Sequence, residues 1–448
     1  MQKAIAHAQQ NNLQIKQAQV NTELAESQYR QTQFGLLPNL NGSANYGVNY
    51  GKNIDPTTNQ FVSQNIQSGQ LSVTSAVTLF SGFSKINEMR ARHFAYMSSR
   101  YAGEQTVNDV SLAVANAFLQ VLFANELSQK STANLQIAQG QVQRMQALFN
   151  AGAVPEGSLF ELQALEAAEE LNRITADNQR TLALLNLQQL LDLDQPIDVE
   201  IPSIELTPQN LQPLPEPDAV FNVASEVYPA VLSAKYNVNA AEKGLAAAQG
   251  RRYPALSGFV NLSTSYSNAV KRIVSVDTTG TFIPIGIVSG TAIPVVTPEF
   301  AYQFENTPFG TQFEDNFGQA VGLSLSIPIF NGWAVNSGIR QSKLNLESNR
   351  IAFEQQRNFL LRDIRTAHAD ASAAAKRYVA ALQQETSTQR AFQYAEQRFN
   401  AGSIASLDYD LSRRNLSAAQ SDLLQAKYDY IFRLKILDYY QGKPLTLP

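Results

Sequence analysis

Leu79-Phe80-Ser81-Gly82-Phe83 returns 250 residues later as Ile329-Phe330-Asn331-Gly332-Trp333, and this pair of segments decides the fold. Phe149-Asn150-Ala151-Gly152 returns at the same spacing as Phe399-Asn400-Ala401-Gly402. Two matches with one offset and in one order indicate an internal duplication, which must be recognised before single elements are assigned. Every element found in one half is therefore expected in the other half.

A third match sets the borders of the duplication. Leu37-Pro38-Asn39-Leu40 corresponds to Tyr253-Pro254-Ala255-Leu256 at a spacing of 216, so the second half carries an insertion between its Pro motif and its Phe-x-Gly motif. The halves meet in a Pro-rich stretch, 194–217, that is typical of an extended connector. We predict a first repeat over 1–193 and a second repeat over 218–448.

Alternating apolar and polar residues follow each Pro motif. On the apolar side of the first stretch are Leu40, Gly42, Ala44, Tyr46, Val48 and Tyr50. The stretches that alternate in the same way are 70–80, 256–266 and 321–329. A period of two indicates strands with one apolar face, so each repeat should hold one hairpin, over 39–80 and 255–330. The second hairpin would carry the long inserted loop, 267–318.

These strands have the features of outer-membrane strands. Each is about 10 residues long, which suits a membrane-spanning strand, and the polar faces hold Asn, Ser, Thr and Gln with almost no charge. The second strands end in aromatic pairs, Phe80 with Phe83 and Phe330 with Trp333, as at a membrane interface. A hairpin in a water-soluble sandwich also alternates, so that alternative stays open. Four strands cannot close a barrel around a lumen, and an oligomer must supply the rest.

Long helices follow the strands in both repeats. From about Lys85 to Phe149, apolar and small residues recur at steps of 3 and 4 over six heptads, and the second repeat keeps this period. A helix of about 65 residues extends for about 97 Å, which exceeds any globular need. Gly152 and Gly402 are expected to end these helices. Shorter helices are expected over 158–191 and 407–440 after the reversals, and over 3–34 and 218–252 before the Pro motifs.

Composition excludes several function classes. Only 16% of residues are charged and the net charge is −4, which argues against a nucleic-acid partner. The chain has no Cys, so thiol catalysis and zinc-thiolate sites are excluded. His7, His93 and His368 are far apart in sequence, and we expect no metal, no cofactor and no catalytic residues. No apolar run approaches the roughly 18 residues of a transmembrane helix. No signal peptide is visible, so we expect a processed mature chain.

The order of these elements, given twice, resembles the TolC-type outer-membrane factor family. The resemblance covers almost the whole chain, and the stretch from Phe399 to Pro444 is similar to members from Bacteroidetes-type bacteria. It implies a mostly α fold in which three chains form a 12-stranded β-barrel continued by a long α-helical coiled-coil tunnel across the periplasm. It implies an exit duct in the outer membrane of a Gram-negative bacterium, in contact with outer-membrane lipid. The partners implied are a periplasmic adaptor and an inner-membrane pump of RND or ABC type, and the chain would not be an enzyme.

The resemblance also implies functional residues. The helix reversals would be periplasmic tips that contact the adaptor; their residues are Asn150, Ala151, Gly152, Ala153, Asn400, Ala401, Gly402 and Ser403. Asp408 matches the first carboxylate of the family's periplasmic aperture, with Glu161 and Asp410 as further aperture candidates. Leu411 stands where a second acid is expected, and Phe399 and Ile404 stand where a linking Tyr and Arg are found. The polar lock of the family is therefore not reproduced.

Some alternatives stay open. A soluble coiled-coil scaffold without a transport role would explain the heptads but not the amphipathic strands. Efflux of small molecules and type I secretion of polypeptides use the same kind of duct, and this chain does not encode the pump that decides between them. The loop 267–318 could cover the pore mouth, bind a surface partner or shield the barrel rim.

Overall fold

The computed structural model describes residues 1–54, 59, 61–63, 65–195, 199 and 213–443. Two compact units are present, and each takes segments from both sequence repeats. The helical unit consists of Met1–Tyr29, Arg90–Lys243 and Ser342–Pro448. The sheet unit consists of Arg30–Met89 and Gly244–Gln341.

The helices of the first repeat are α1 (Gln2–Asn11), α2 (Leu13–Phe34), α3 (Ser84–Asn150) and α4 (Glu156–Leu191). Those of the second repeat are α5 (Pro217–Val227), α6 (Pro229–Gly250), α7 (Phe309–Asp315), α8 (Ala334–Asn400) and α9 (Ser406–Tyr440). The two long helices have 67 residues each, or about 100 Å at 1.5 Å per residue. The predicted long helices and the return helices after them are thus confirmed.

The helices before the Pro motifs are each broken once, although the sequence pattern predicted them unbroken. Asn12 leaves the helical conformation, and its side-chain Oδ1 accepts a hydrogen bond from Gln14 N, so it caps α2. Tyr228 is extended because it precedes Pro229, whose ring disfavours the helical conformation there. The two breaks lie 216 residues apart, the spacing of the Pro motifs, so the duplication preserves the break with different residues.

The core of the helical unit lies along the predicted seam of α3. Val110, Val114 and Val121 are buried against Leu187 on α4 and Ile431 on α9. An 18-residue stretch of α3 is long and apolar enough to span a membrane, contrary to the prediction that no such run exists. Just over half of that stretch is buried inside the unit, so its apolar residues serve the packing between helices.

The sheet unit contains the four expected strands as one antiparallel sheet. They are β1 (Asn41–Asn49), β4 (Ile66–Phe80), β5 (Ala255–Ser267) and β8 (Gly318–Ser326). Their order is β1-β4-β5-β8, so both predicted hairpins are confirmed and β4 joins β5 across the repeats. Thr74 lies opposite Asn261 in that joint. β1 and β8 are the edge strands.

The inserted segment is largely folded, where the sequence predicted a loop. β6 (Lys271–Ile287) pairs with β7 (Pro294–Asn306) in a long hairpin, and α7 follows before β8. The corresponding connection of the first repeat holds a short hairpin of β2 (Lys52–Ile54) and β3 (Phe61–Ser63). Most of the predicted connector 194–217, and Pro444 of the C-terminal motif, lie outside the described residues.

Candidate functional site

The four-stranded sheet has one apolar face that the described residues leave largely uncovered. Val73 lies between Gly42 on β1 and Leu262 on β5, and Leu323 on β8 lies opposite Gly258. The side chains of Val73 and Leu323 are exposed. The other face is polar: the hydroxyl oxygens of Ser43 and Ser72 lie 2.7 Å apart. A contiguous exposed apolar face of this size marks a protein interface or a membrane surface.

Tight turns set the aromatic residues at one end of the sheet. Gly82 and Phe83 both have positive φ (60° and 61°), and Ser84 N donates to Ser81 O at 3.0 Å, which is a type I′ turn. Gly332 and Trp333 repeat this geometry with φ of 59° and 69°. The turn holds Phe83 against Phe80 edge to face, with ring centroids 5.6 Å apart. The predicted aromatic positions Phe80, Phe83, Phe330 and Trp333 are all exposed.

Tyrosines mark the opposite end of the apolar face. Tyr46 and Tyr266 lie on either side of Gly69, in register with it. From Gly69 to Phe80 along β4 is 11 residues, about 36 Å at 3.3 Å per residue. A strand tilt of about 40° reduces this to about 28 Å across the sheet, close to the roughly 25 Å apolar band of an outer-membrane barrel.

Both helix reversals end in the same left-handed cap. Gly152 has φ of +72°, and Gly152 N and Ala153 N donate to the carbonyls of Phe149 and Leu148 at 2.8 and 2.9 Å. Gly402 has φ of +70°, and Ser403 N donates to Arg398 O at 2.8 Å. These are Schellman motifs, which satisfy the last helical carbonyls and favour a residue without a Cβ at the left-handed position. The predicted stops after Asn150 and Asn400 are confirmed.

The two reversals are linked within the helical unit. Phe399 packs against the buried cluster of Met145 and Leu162 and stacks on Tyr409 at 4.7 Å between ring centroids. Arg144 Nη1 donates to Asn400 Oδ1 at 3.1 Å. The tip residues of both repeats are otherwise exposed, so together they form one exposed surface.

The three aperture candidates occupy different environments. Asp408 is exposed in the first turn of α9, and Glu161 is exposed near the start of α4. Asp410 is only 3% exposed, and burial raises the pKa of its carboxyl above the ordinary value, although Arg413 opposes the shift. The neighbour of Asp408 on the exposed face is Leu411, which is 56% exposed. Asp410 therefore faces the packing between helices, whereas Asp408 and Glu161 face outward.

A buried ion pair beside the aperture candidates was missed from the sequence. Arg413 Nη2 on α9 lies 3.3 Å from Glu169 Oε1 on α4, and the two side chains are 7% and 5% exposed. The partners are 244 residues apart, so no sequence period relates them. The pair ties the return helix of one repeat to that of the other. In the described part of the chain, no group of three or more His, Cys, Asp or Glu residues could hold a metal ion.

The family model described as "Outer membrane efflux protein" matches residues 4–192 and 221–438. "Outer membrane protein TolC" of Escherichia coli (strain K12) is 22% identical, over 95% of this chain and 78% of that protein. "Outer membrane efflux protein BepC" of Brucella suis biovar 1 is 23% identical, over 96% of this chain and 82% of that protein.

Two solved structures share the fold. CusC has a TM-score of 0.78 at 16% identity, covering 99% of this chain and 92% of that chain. The Campylobacter jejuni CmeC outer membrane channel has a TM-score of 0.77 at 16% identity, covering 98% and 85%. At these identities the likeness shows the fold alone. It agrees with the predicted fold class of long coiled-coil helices joined to a small sheet.

Proposed function

The chain belongs to the family of outer membrane efflux proteins, and from that premise we propose that three copies form the outer-membrane exit duct of a tripartite transport system. The family places the chain in the outer membrane of a Gram-negative bacterium. Small molecules, or polypeptides in a type I secretion system, would pass from an inner-membrane pump through a periplasmic adaptor into the duct. The observation that carries the proposal is the sheet, which has a largely uncovered apolar face and two edge strands, β1 and β8, that have no further partner strand among the described residues.

The duplication predicts how neighbouring copies would pair. Within the chain β4 of the first repeat pairs with β5 of the second repeat, and Thr74 faces Asn261. The strands at the free edges, β8 and β1, are the repeat equivalents of β4 and β5. A spacing of 250 relates Thr74 to Ser324 in β8, and a spacing of 216 relates Asn261 to Asn45 in β1. Ser324 should therefore face Asn45 of the neighbouring copy. Three such joints turn three four-stranded sheets into a closed 12-stranded barrel without an open edge.

Because the natural chain has no Cys, disulfide formation can test this register directly. The variant Ser324→Cys/Asn45→Cys should form disulfide-linked chains up to the trimer on a non-reducing gel. A bond within one chain is ruled out by geometry, since three strand spacings of about 4.8 Å separate β1 from β8 and a disulfide needs Cα atoms within about 7 Å. Higher species must then come from contact between copies.

The matched control moves one Cys along β1. In Ser324→Cys/Asn49→Cys the second thiol lies four residues away from the predicted partner, or about 13 Å, and should not cross-link. A ladder from the control but not from the first variant would contradict the register. No cross-linking from either variant in the membrane fraction would contradict the closed barrel.

We further propose that the exposed reversals contact the adaptor. Ala151 and Ala401 stand at equivalent places in the two tips, where their small side chains allow close approach of another helix hairpin. Ala151→Asp/Ala401→Asp should abolish transport in cells while the particle stays intact in the outer membrane. The control Gln355→Asp/Gln384→Asp introduces the same two charges at exposed sites on α8 and should transport normally. Normal transport by the tip variant would remove the reversals from the adaptor contact.

For the inner end of the duct, we propose that Asp408 contributes an acidic ring and Leu411 an apolar ring, with Glu161 nearby. Three exposed carboxylates around one axis would attract cations and slow anions. In single-channel recordings, Asp408→Ala should abolish block by polyvalent cations. Glu347→Ala, at an exposed site on α8 53 residues before Asn400, should leave the block unchanged. Block that persists in Asp408→Ala would exclude Asp408 from the aperture.

A further inference from the structure

The short helix α7 is fixed to the outer end of β5 by side-chain hydrogen bonds. Gln312 is 2% exposed, and its Nε2 donates to the carbonyls of Ser267 and Thr307, both at 2.9 Å. Ser267 N donates back to Gln312 Oε1 at 2.9 Å, and Asn316 Nδ2 donates to Ser265 O at 2.7 Å. These bonds occupy backbone groups of β5 beyond the point where its pairing with β8 ends at Ser263. The helix is therefore a firm part of the sheet unit.

This helix overhangs the apolar face of the sheet at its tyrosine end. Phe309 packs on Tyr266 at 5.4 Å and on Phe313 at 5.9 Å between ring centroids. Between α7 and the sheet lies a crevice of about 470 Å³, and a smaller part of about 280 Å³ shares four of its wall residues, Ala44, Leu71, Thr264 and Phe313. The main apolar wall residues are Ala44, Leu71, Val73, Leu262, Phe313 and Phe317.

The walls of the crevice carry no charged side chain. The hydroxyl of Thr264, which is buried, is already satisfied because it donates to Phe313 O at 2.9 Å. From Gly42 to Tyr46 the crevice follows β1 over four residues, about 13 Å. At the strand tilt of about 40° this length corresponds to about 10 Å of membrane depth, within the roughly 12 Å that one leaflet contributes to an apolar band of about 25 Å. The crevice therefore has the length and the chemistry of a site for one acyl chain.

We propose that this crevice holds an acyl chain of an outer-leaflet lipid, with α7 as an interfacial clamp over it. The inference rests on the proposed function, because it takes the apolar face of the sheet as the lipid-facing face. The crevice opens onto that face and is continuous with it, and its tyrosine end is the extracellular end of the strands. A lipid chain would fill the space that the protein leaves between Phe313 and the sheet, and its head group would lie at the level of Tyr46 and Tyr266.

Tryptophan fluorescence can test the proposal, since Trp333 is the single Trp of the chain. In a Trp333→Phe background, Phe313→Trp reports on the crevice, Leu323→Trp on the open apolar face of β8, and Tyr394→Trp on an exposed helix position six residues before Asn400. The proteins are reconstituted as full particles in vesicles of phosphatidylcholine brominated on the acyl chains. We expect strong quenching of the first two probes and none of the third.

A substitution that fills the crevice distinguishes an acyl chain bound there from general contact between lipid and the apolar face. Ala44 lines both parts of the crevice, so Ala44→Phe should reduce the quenching of the Phe313→Trp probe at least twofold and leave the Leu323→Trp probe unchanged. Quenching of the crevice probe that Ala44→Phe does not reduce would overturn the acyl-chain site. An unquenched crevice probe beside a quenched Leu323→Trp probe would also overturn it and leave the proposed function standing. If neither sheet probe were quenched, the membrane sheet itself would be refuted.

Discussion

The paired turns before the long helices give a sharp prediction about glycine. Gly82 has φ of +60°, and a Cβ at this position would lie 2.3 Å from Gly250 O and 2.7 Å from Tyr253 Cβ. Gly332 has the same backbone conformation, with φ of +59°, but a Cβ there would meet nothing within 4 Å. The same substitution, Gly→Ala, thus carries backbone strain at both sites and a steric clash at only one.

The magnitudes follow from these two terms. A left-handed conformation costs a residue with a Cβ roughly 1–2 kcal/mol. Overpacking of a closely packed contact adds about 1–3 kcal/mol. Gly332→Ala should therefore lower the free energy of unfolding by about 1–2 kcal/mol, and Gly82→Ala by about 2–5 kcal/mol.

Assembly should leave this difference in place. Within the chain, Gly82 faces Gly250. The repeat equivalents of these residues are Gly332, at a spacing of 250, and Phe34, at a spacing of 216. In the proposed trimer, Gly332 should therefore face Phe34 of the neighbouring copy. A side chain at position 250 would itself lie 2.5 Å from Gly82 O, so a Phe cannot permit an equally close approach. The distance between Gly332 and Phe34 of the neighbouring copy must therefore be larger than that between Gly82 and Gly250. The destabilisation by Gly332→Ala should then remain limited to the backbone strain.

The measurement is guanidinium unfolding of both variants and the natural protein in one detergent, followed by circular dichroism of the helices. The double variant should show the sum of the two losses, because the sites are separate. Equal losses at the two sites would refute the reasoning that the Gly82–Gly250 contact is specific to the joint within the chain.

Three further predictions use the same unfolding assay. Arg413→Met should cost about 3–5 kcal/mol because Glu169 is left buried without its cationic partner, and Glu169→Leu/Arg413→Met should recover most of that loss; equal losses in the single and double variants would contradict a true pair. Glu169→Gln should cost less than Arg413→Met, because Arg413 keeps Asp410 as a nearby acidic group. Because burial raises the pKa of the Asp410 carboxyl, the folded state binds its proton more tightly than the unfolded state does. The natural protein should therefore lose stability as the pH rises from the ordinary pKa of an Asp through the raised pKa of the folded state, and Asp410→Asn should not. Parallel pH profiles of the two proteins would contradict this. Gly152→Ala and Gly402→Ala should each cost about 1–2 kcal/mol, as at Gly332, because open space surrounds both and only backbone strain remains.

Much of the fold could be predicted because it depends on the spacing of apolar residues along the chain and on the Gly residues that end the long helices. The helix period of α3 and α8 persists over tens of residues, and Gly152 and Gly402 end both helices at one repeat spacing. The strands alternate cleanly because one face is apolar and the other is polar. Signals of this kind lie within a single segment, and the duplication allowed each one to be checked against its copy.

The remainder depends on contacts that no local pattern contains. The break at Asn12 comes from one side-chain cap. The position of α7 depends on the hydrogen bonds of Gln312 to β5, which lies before the inserted hairpin in the chain. The pairing of Arg413 with Glu169 needs two return helices from different repeats to meet. Asp410 lies two residues after Asp408, about 200° around α9, and its burial depends on the helices packed there. The roles of Asp408, Glu161 and the tip residues stay predictions.

The measurement that tests the central claim most directly is the protein mass of the detergent-extracted particle, obtained by light scattering with the detergent contribution subtracted. Closed threefold symmetry predicts three chains of 49.3 kDa, about 148 kDa, recovered from the outer-membrane fraction. A monomer or dimer that stays in solution without detergent would contradict the duct and favour a soluble coiled-coil scaffold.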